Sequence, residues 1–394
     1  MTPVGVLSFA LAAVAVVLVV PALVFFVQCV FSLFAPKPRV LSRPSGLSVV
    51  VLMPAHDESA GIGATIEALK SQLETNDRIL IVADNCQDDT AAVARAAGAE
   101  VIERVDPERR GKGYALAFGF AHLESSPPDV VIVLDADCRL TPGSVDALTH
   151  DAFELGRPVQ ADNVSHSVDR SVLSMISSLA MLVRNRVRPR GFLFLGMPCQ
   201  LMGTGMAFPW AVLQAAPDLE ANLVEDLAMG AELAMLGHEP ALCIHAGVRS
   251  ELPKGSRAAL AQRTRWEHGQ LSTLGGYGPR LVRAGLAQGR LSLVAMGADL
   301  LVPPLAFLVG LLAATLGVSI VLFVLGGSVV PLAVSAAGLA LVVLGVGAGW
   351  ARYGRDLVPL RYMLLAPVYI VWKLPLYASF LFGRRERRWR RTER

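Results

Sequence analysis

Val131-Ile132-Val133-Leu134-Asp135-Ala136-Asp137 decides how the rest of the chain is read. An apolar run rich in β-branched residues passes directly into two carboxylates one residue apart. A short continuous apolar run bounded by polar residues is the pattern of a strand buried on both faces. Working outward from 130–134, the same pattern recurs at 47–53, where the run ends in Pro54, at 78–83 and at 100–104. The segments between have helical spacing over 62–73, an alanine-rich helix over 90–97 and another helix over 112–123. Strands that alternate with helices predict a parallel α/β sheet. Ligands on such sheets bind beyond the carboxyl ends of the strands. Three of those ends carry acids: Asp57 and Glu58, then Asp84, then Asp135 and Asp137.

Each acidic element has a structural and a chemical reading. Carboxylates leaving a buried strand are costly unless neutralised, and a divalent cation does that; Mg²⁺ or Mn²⁺ prefers oxygen ligands. An isolated Asp-x-Asp can equally end a strand and cap the next helix. In Asp84-Asn85-Cys86-Gln87-Asp88-Asp89-Thr90, Asp89 or Thr90 suits an N-cap, which leaves Asp84 at the strand tip for a base or ribose. Arg110-Gly111-Lys112-Gly113 sets two cations before a helix, as a diphosphate contact or as a solvated loop. Glu225-Asp226 opens an apolar helical run, where acids complement the helix dipole or one of them serves as a general base. Gln262-Arg263-Thr264-Arg265-Trp266 offers a stacking ring and forked cations, or else the snorkelling arginines of a juxtamembrane helix. No Ser/His/Asp or Cys/His constellation supports a covalent nucleophile.

Composition sets these motifs beside a membrane. The 394 residues are 53% hydrophobic and 18% charged, more apolar than ordinary soluble domains. No charged side chain occurs over 1–36 or over 300–351. A span takes about 20 apolar residues, so the first run crosses once and the second twice, turning near Gly326, Gly327 and Ser328. A cleaved signal peptide fits the first run poorly. No Lys or Arg precedes it, and it far exceeds the roughly 7–15 apolar residues of a signal core. Lys37, Arg39 and Arg43 follow the first span and the tail over 384–394 is Arg-rich, which places both, and the domain between, on the cytoplasmic side. Over 357–382 the chain is apolar but carries Arg361, Lys373, Pro367 and Pro375, and it is expected to lie at the cytoplasmic interface against the catalytic domain. The segment 168–187 reads as an amphipathic helix, at the membrane surface or under the active site, or as a core helix with a solvated basic end. The net charge of +3 gives no basis for a nucleic-acid partner. The cysteines Cys29, Cys86, Cys138, Cys199 and Cys243 form no close-spaced pair, so no zinc or disulfide framework is indicated and a reducing compartment fits. A transporter would place functional charges within the spans, and these runs have none.

In order and spacing, Pro54-Ala55-His56-Asp57-Glu58, Asp84, Asp135-Ala136-Asp137, Glu225-Asp226 and Gln262-Arg263-Thr264-Arg265-Trp266 resemble the family 2 glycosyltransferases. The resemblance is to the membrane-bound branch with cellulose, chitin-oligosaccharide and hyaluronan synthases and ceramide glucosyltransferase. It implies a GT-A α/β domain over 45–275, flanked by a transmembrane anchor over 1–36, a C-terminal membrane region over 290–383 and a basic cytoplasmic tail over 384–394. It also implies inversion at the anomeric carbon and a nucleotide-sugar donor, usually a uridine diphosphate sugar, with Mg²⁺ or Mn²⁺ as cofactor. Carried over residue by residue, Asp84 holds the nucleobase, and Asp135 contacts the ribose and the metal-bound diphosphate. Asp137 ligates the metal and Asp226 is the catalytic base. Gln262, Arg263, Arg265 and Trp266 bind the diphosphate and the acceptor end, Lys112 and Glu58 line the donor site, and Gly203-Thr204-Gly205 falls where the family has an acceptor-side loop. Asp57 departs from the pattern, since Asn commonly precedes the Glu. His245 is either an additional metal ligand or a buried structural histidine. The acceptor implied is a lipid-linked molecule or a glycan at the inner membrane, with a processive synthase, a homo-oligomer and a non-catalytic sugar-binding regulator as the competing readings. A regulator is expected to lack Asp137 or Asp226, and both are present.

Overall fold

The computed structural model describes residues 2–166, 171–216, 225–251, 267–272 and 274–381. Two compact units emerge: 36–168 with 197–253, and 1–35 with 169–196 and 254–386.

The first unit is built on an eight-stranded sheet in the order β3-β2-β1-β4-β7-β6-β8-β5. Strand β1 (Val49–Ala55) pairs in parallel with β2 (Arg78–Asp84) and β4 (Val130–Val133), and β2 pairs in parallel with β3 (Glu100–Arg104). Each crossover in this half is helical: Ile62–Lys70, Thr90–Ala96 and Lys112–Leu123. The alternation of side chains along β1 explains its unbroken apolar run. Val49, Val51, Met53 and Ala55 enter one core, while Val50 and Leu52 enter the other.

The other half of the sheet departs from the parallel pattern that the sequence shows over the first four strands. Strand β7 (Met206–Pro209) runs antiparallel to both β4 and β6 (Val159–His166), and β5 (Cys138–Leu140) runs antiparallel to β8 (Ala241–Glu251). Only β6 and β8 are parallel there, with a register shift between Ala161 and Asp162. No strand–helix alternation marks this half in the sequence, and β5 and β7 are only three and four residues long. Arg43 is buried in this unit. Its guanidinium forks onto Asp77 at 3.0 and 2.7 Å and lies 3.2 Å from both Glu74 and Asp146.

The second unit is helical. Among the described residues, three helices are long and apolar enough to cross a membrane by length and composition: Pro3–Phe34, Leu305–Val324 and Val330–Gly354. The first opens on Thr2, whose Oγ1 accepts the Gly5 N–H at 3.2 Å. Between the other two, the chain turns through Gly326, as the sequence predicts. The segment expected to be one helix over 168–187 is the helix Val172–Leu182, a π-helical turn Val183–Val187 and the helix Arg188–Phe194, with 168–170 outside the described residues. Leu179, Leu182, Val183 and Val187 share a core with Phe25, Cys29, Leu308, Leu312 and Val342. At its basic end Arg184 and Arg186 are partly exposed, but Arg188 is not solvated. Arg188 is 8% exposed, donating to Gln28 Oε1 at 2.9 Å and to Asp299 Oδ1 at 2.6 Å, so a polar network rather than water balances its charge.

Candidate active site

The carboxyl ends of β1, β2 and β4 gather the acids as the topology requires. After β1 the chain bends at Asp57, whose φ of 53° is in the left-handed region that Asn and Asp tolerate best. An Asp where Asn is common therefore keeps the bend. Its Oδ1 accepts the Gln87 N–H at 2.6 Å. Glu58 follows, half-buried, its N–H donated to Thr90 Oγ1 at 2.8 Å.

Asp84, at the tip of β2, is 7% exposed. In the β2–β3 register it sits directly opposite Arg104, and Arg104 Nη1 donates to its Oδ1 at 2.8 Å. Arg104 also pairs with Asp106 at 3.2 Å and lies 5.5 Å from the centre of the Tyr114 ring. Sequence reading singled out neither Arg104 nor Tyr114. The only signal was a cation ending one strand while an acid ends its neighbour.

Asp89 holds the N-cap position of the helix Thr90–Ala96, as expected, and the side chain that bonds the helix start is that of Asp88. Its Oδ1 accepts the Thr90 N–H at 3.0 Å and its Oδ2 the Ser59 N–H at 3.1 Å, while Asp89 makes no side-chain cap. Burial opposes its ionisation, but the hydrogen bonds from Thr90 and Ser59 prevail and hold it at about 2. Asp57, Cys86 and Asp88 converge closely enough to suggest an ion site, yet both carboxylates are committed to backbone N–H groups.

Beyond β4, Asp135, Asp137 and Cys138 bring ligand atoms within 4.8 Å of one another. Two carboxylates offer the hard oxygen donors that Mg²⁺ or Mn²⁺ prefers. Cys138 adds a thiol, a softer group than such an ion prefers. Burial, and then the charge of Asp135, push its thiol up to about 12, and its Sγ lies 3.5 Å from Asp137 Oδ1 as a donor. The residues fit a divalent ion held by oxygen.

Lys112 begins its helix beside Gly111 and sends Nζ to Asp135 Oδ1 at 2.5 Å and to the Gly203 carbonyl. Gly203 and Gly205 have φ of +83° and +66°, which favours glycine at both. A Cβ at Gly203 would lie 3.3 Å from Asp226 Oδ2 and 3.5 Å from Lys112 Nζ, so the loop, the lysine and Asp226 adjoin. Thr204 Oγ1 accepts the Asp135 N–H at 3.1 Å. Asp226 is in the first turn of the helix Glu225–Met235, its Oδ1 accepting the Leu227 N–H at 2.9 Å. His245 is elsewhere. Its Nδ1 accepts the Arg39 N–H at 3.0 Å, and burial lowers its proton affinity against the pull of Asp151. The structure thus brings Lys112, Asp135, Asp137 and Asp226 around one loop, with Asp84 at the end of β2, on the far side of β1 from β4. Gln262, Arg263, Arg265 and Trp266 lie outside the described residues.

Comparison with known proteins bears on the family and the fold. A stretch of 99 residues is 33% identical to glucosyl-3-phosphoglycerate synthase of Mycolicibacterium paratuberculosis, covering 24% of this chain. The chain spans only 29% of the length of that curated relative. Among solved structures, the mannosyltransferase PcManGT from Pyrobaculum calidifontis, in complex with GDP-Man and Mn²⁺, is similar with a TM-score of 0.54 at 17% identity, over 92% of this chain and 99% of that one. Glucosyl-3-phosphoglycerate synthase from Mycobacterium tuberculosis, in complex with Mn²⁺, UDP-glucose and phosphoglyceric acid, is similar with a TM-score of 0.40 at 20% identity, over 60% of this chain and 87% of that one. The likeness to PcManGT shows the shared GT-A fold. Residues 44–269 match the family described as glycosyltransferase-like family 2. That match takes in every strand of the sheet and more than half of the sequence, and on it the chain belongs to the family 2 glycosyltransferases, enzymes that use nucleotide-sugars.

Proposed function

We propose that the chain is a metal-dependent, inverting glycosyltransferase that moves a sugar from a nucleotide-sugar to a lipid-linked or glycan acceptor at the cytoplasmic membrane face. The observation that carries this reading is the meeting of Lys112, Asp135 and Asp226 at the 203–205 loop. A cation, a metal-binding carboxylate and a second acid adjoin where a sugar diphosphate and an attacking hydroxyl have to meet. The three apolar helices among the described residues support membrane attachment. So few spans favour the addition of one or a few sugars over the extrusion of a polymer.

In the proposed reaction Asp226 takes the proton of an acceptor hydroxyl. The hydroxyl oxygen attacks the anomeric carbon as its bond to the diphosphate oxygen breaks, so the new bond forms with inversion. The nucleoside diphosphate departs and the proton rests on Asp226. Asp135 and Asp137 would hold Mg²⁺ or Mn²⁺, which would supply positive charge to the departing diphosphate. Lys112 adds its ammonium beside Asp135, and Asp84 reads the base from its place against Arg104. Gln262, Arg263, Arg265 and Trp266 are assigned to the diphosphate and the acceptor by family resemblance.

A uridine diphosphate sugar is the donor that the family resemblance implies, and the 33% identical relative is named for a glucosyl transfer. GDP-mannose is the comparison to include, because PcManGT holds GDP-Man. The test is nucleotide release in membranes bearing the protein, from UDP-glucose, UDP-galactose, UDP-N-acetylglucosamine and GDP-mannose, with lipid extract, with 3-phosphoglycerate or with neither. Release that needs Mn²⁺ and lipid extract supports the proposal. Stimulation by 3-phosphoglycerate alone would replace the acceptor, and no release from any donor would overturn the reading.

A further inference from the structure

Gln160 is a fully buried amide, the second residue of β6, at 0% exposure. Both ends of its side chain are engaged, and nearly all of its bonds run to one loop. Its Oε1 accepts the Met202 N–H at 2.7 Å, and its Nε2 donates to the Thr204 carbonyl at 2.9 Å and to the Ala161 carbonyl at 3.0 Å. Residues 202–205 therefore hang on a side chain from a strand rather than on a ladder of their own until Gly205, whose N–H reaches Val133 O at 2.9 Å. An amide suits this place because it offers an acceptor and two donors without charge. A hydrocarbon would leave the Met202 N–H and the Thr204 carbonyl without these partners in a buried setting.

The loop so held is the one that meets the site. Its Gly203 carbonyl receives Lys112, its Thr204 hydroxyl accepts the Asp135 N–H, and Gly203 adjoins Asp226. We propose that Gln160 is a positioning residue that holds the 202–205 loop, and through it Lys112 and Asp135, in the geometry that receives the donor diphosphate. This rests on the glycosyltransferase reading above. The side-chain hydrogen bonds of Gln160 run to the loop and to Ala161, so its hold on Lys112 and Asp135 is through the loop.

Gln160→Met keeps the volume and removes every hydrogen bond, and Gln160→Asn keeps an amide but withdraws it by one methylene. Val159→Ala, in the adjacent core position at 0% exposure, is the control for plain loss of packing. In the full-length protein in detergent, both Gln160 variants are expected to raise the donor KM and to lower kcat/KM about tenfold to a hundredfold, as a misplaced site does. Val159→Ala is expected to lower the melting temperature and leave donor KM unchanged. Hydrogen exchange is the second readout. The Met202 and Asp135 amides should exchange faster in the Gln160 variants and not in Val159→Ala. Wild-type donor KM together with wild-type exchange in either folded Gln160 variant would overturn the proposal. If the wild-type protein turns over no donor, the glycosyltransferase reading fails separately. Exchange still decides Gln160 in that case, because unchanged protection at 202–205 in a folded variant refutes its hold on the loop.

Discussion

Lys112 Nζ stands 2.5 Å from Oδ1 of Asp135, and the same ammonium reaches the Gly203 carbonyl. One cation thus bridges a proposed metal ligand and the loop beside the proposed base. If its task is to meet the donor diphosphate, Lys112→Met should weaken UDP binding in excess Mn²⁺ by about 10- to 100-fold, the worth of one or two charged hydrogen bonds. Titration calorimetry on the detergent-solubilised protein measures this. An unchanged Kd would reduce Lys112 to a structural counter-ion of Asp135.

Asp226 separates proton removal from donor binding. Asp226→Asn keeps the size and the Leu227 cap but cannot accept the acceptor proton. Transfer should fall by about 10²- to 10⁴-fold, the usual contribution of a general base, while Mn²⁺–UDP binding stays within a factor of about 3. Full turnover by this variant would remove Asp226 from the mechanism.

Metal dependence follows from the carboxylates of Asp135 and Asp137. EDTA should stop transfer, and Mg²⁺ or Mn²⁺ should restore it. Asp137→Ala should shift the Mn²⁺ concentration for half-maximal activity upward by at least about tenfold, since one of two oxygen ligands is gone. Activity undiminished in chelator leaves both acids without the role proposed for them.

Asp88 ties pH to stability rather than to chemistry. Its folded pKa, about 2, lies below the ordinary value of 3.8. Its contribution is therefore complete above pH 3.8 and is lost as pH falls through 2. The side chain is exposed, so Asp88→Ala should cost only about 0.5–1 kcal/mol, the low end for a capping residue. Thermal melts at pH 6 should separate variant from wild type, and the gap should close as the pH approaches 2. A gap that persists there would point to lost packing instead.

The half of the fold legible in sequence is the half where local pattern and topology coincide. From β1 to β4, buried strands alternate with helices, and the strand ends carry the acids at the site. The pairing of β5 with β8 and of β7 with both β4 and β6 is a long-range choice that no local periodicity encodes. The site divides in the same way. Asp84, Lys112, Asp135, Asp137 and Asp226 announce themselves as charges at strand ends and helix starts. Gln160 is one amide inside a strand, and only the folded position of the 202–205 loop gives it partners. Arg104 becomes meaningful once the register sets it opposite Asp84.

The last prediction concerns the C-terminal segment, where the structure alters the argument from charge. Lys373 is 5% exposed and ion-paired with Glu267, and a paired charge weighs less against a span than a bare one. Parity now carries more of the case. If the 45–275 domain lies inside, as proposed, the two helices Leu305–Val324 and Val330–Gly349 return the chain to the inside. A further crossing would carry the seven arginines over 384–394 outside, against the positive-inside rule. An interfacial position at the cytoplasmic face satisfies the charge. A cysteine introduced by Thr392→Cys, with the five native cysteines replaced, should then react with a membrane-impermeant maleimide only after the membrane is opened. Labelling in intact cells would reveal another crossing and reverse the placement of the tail.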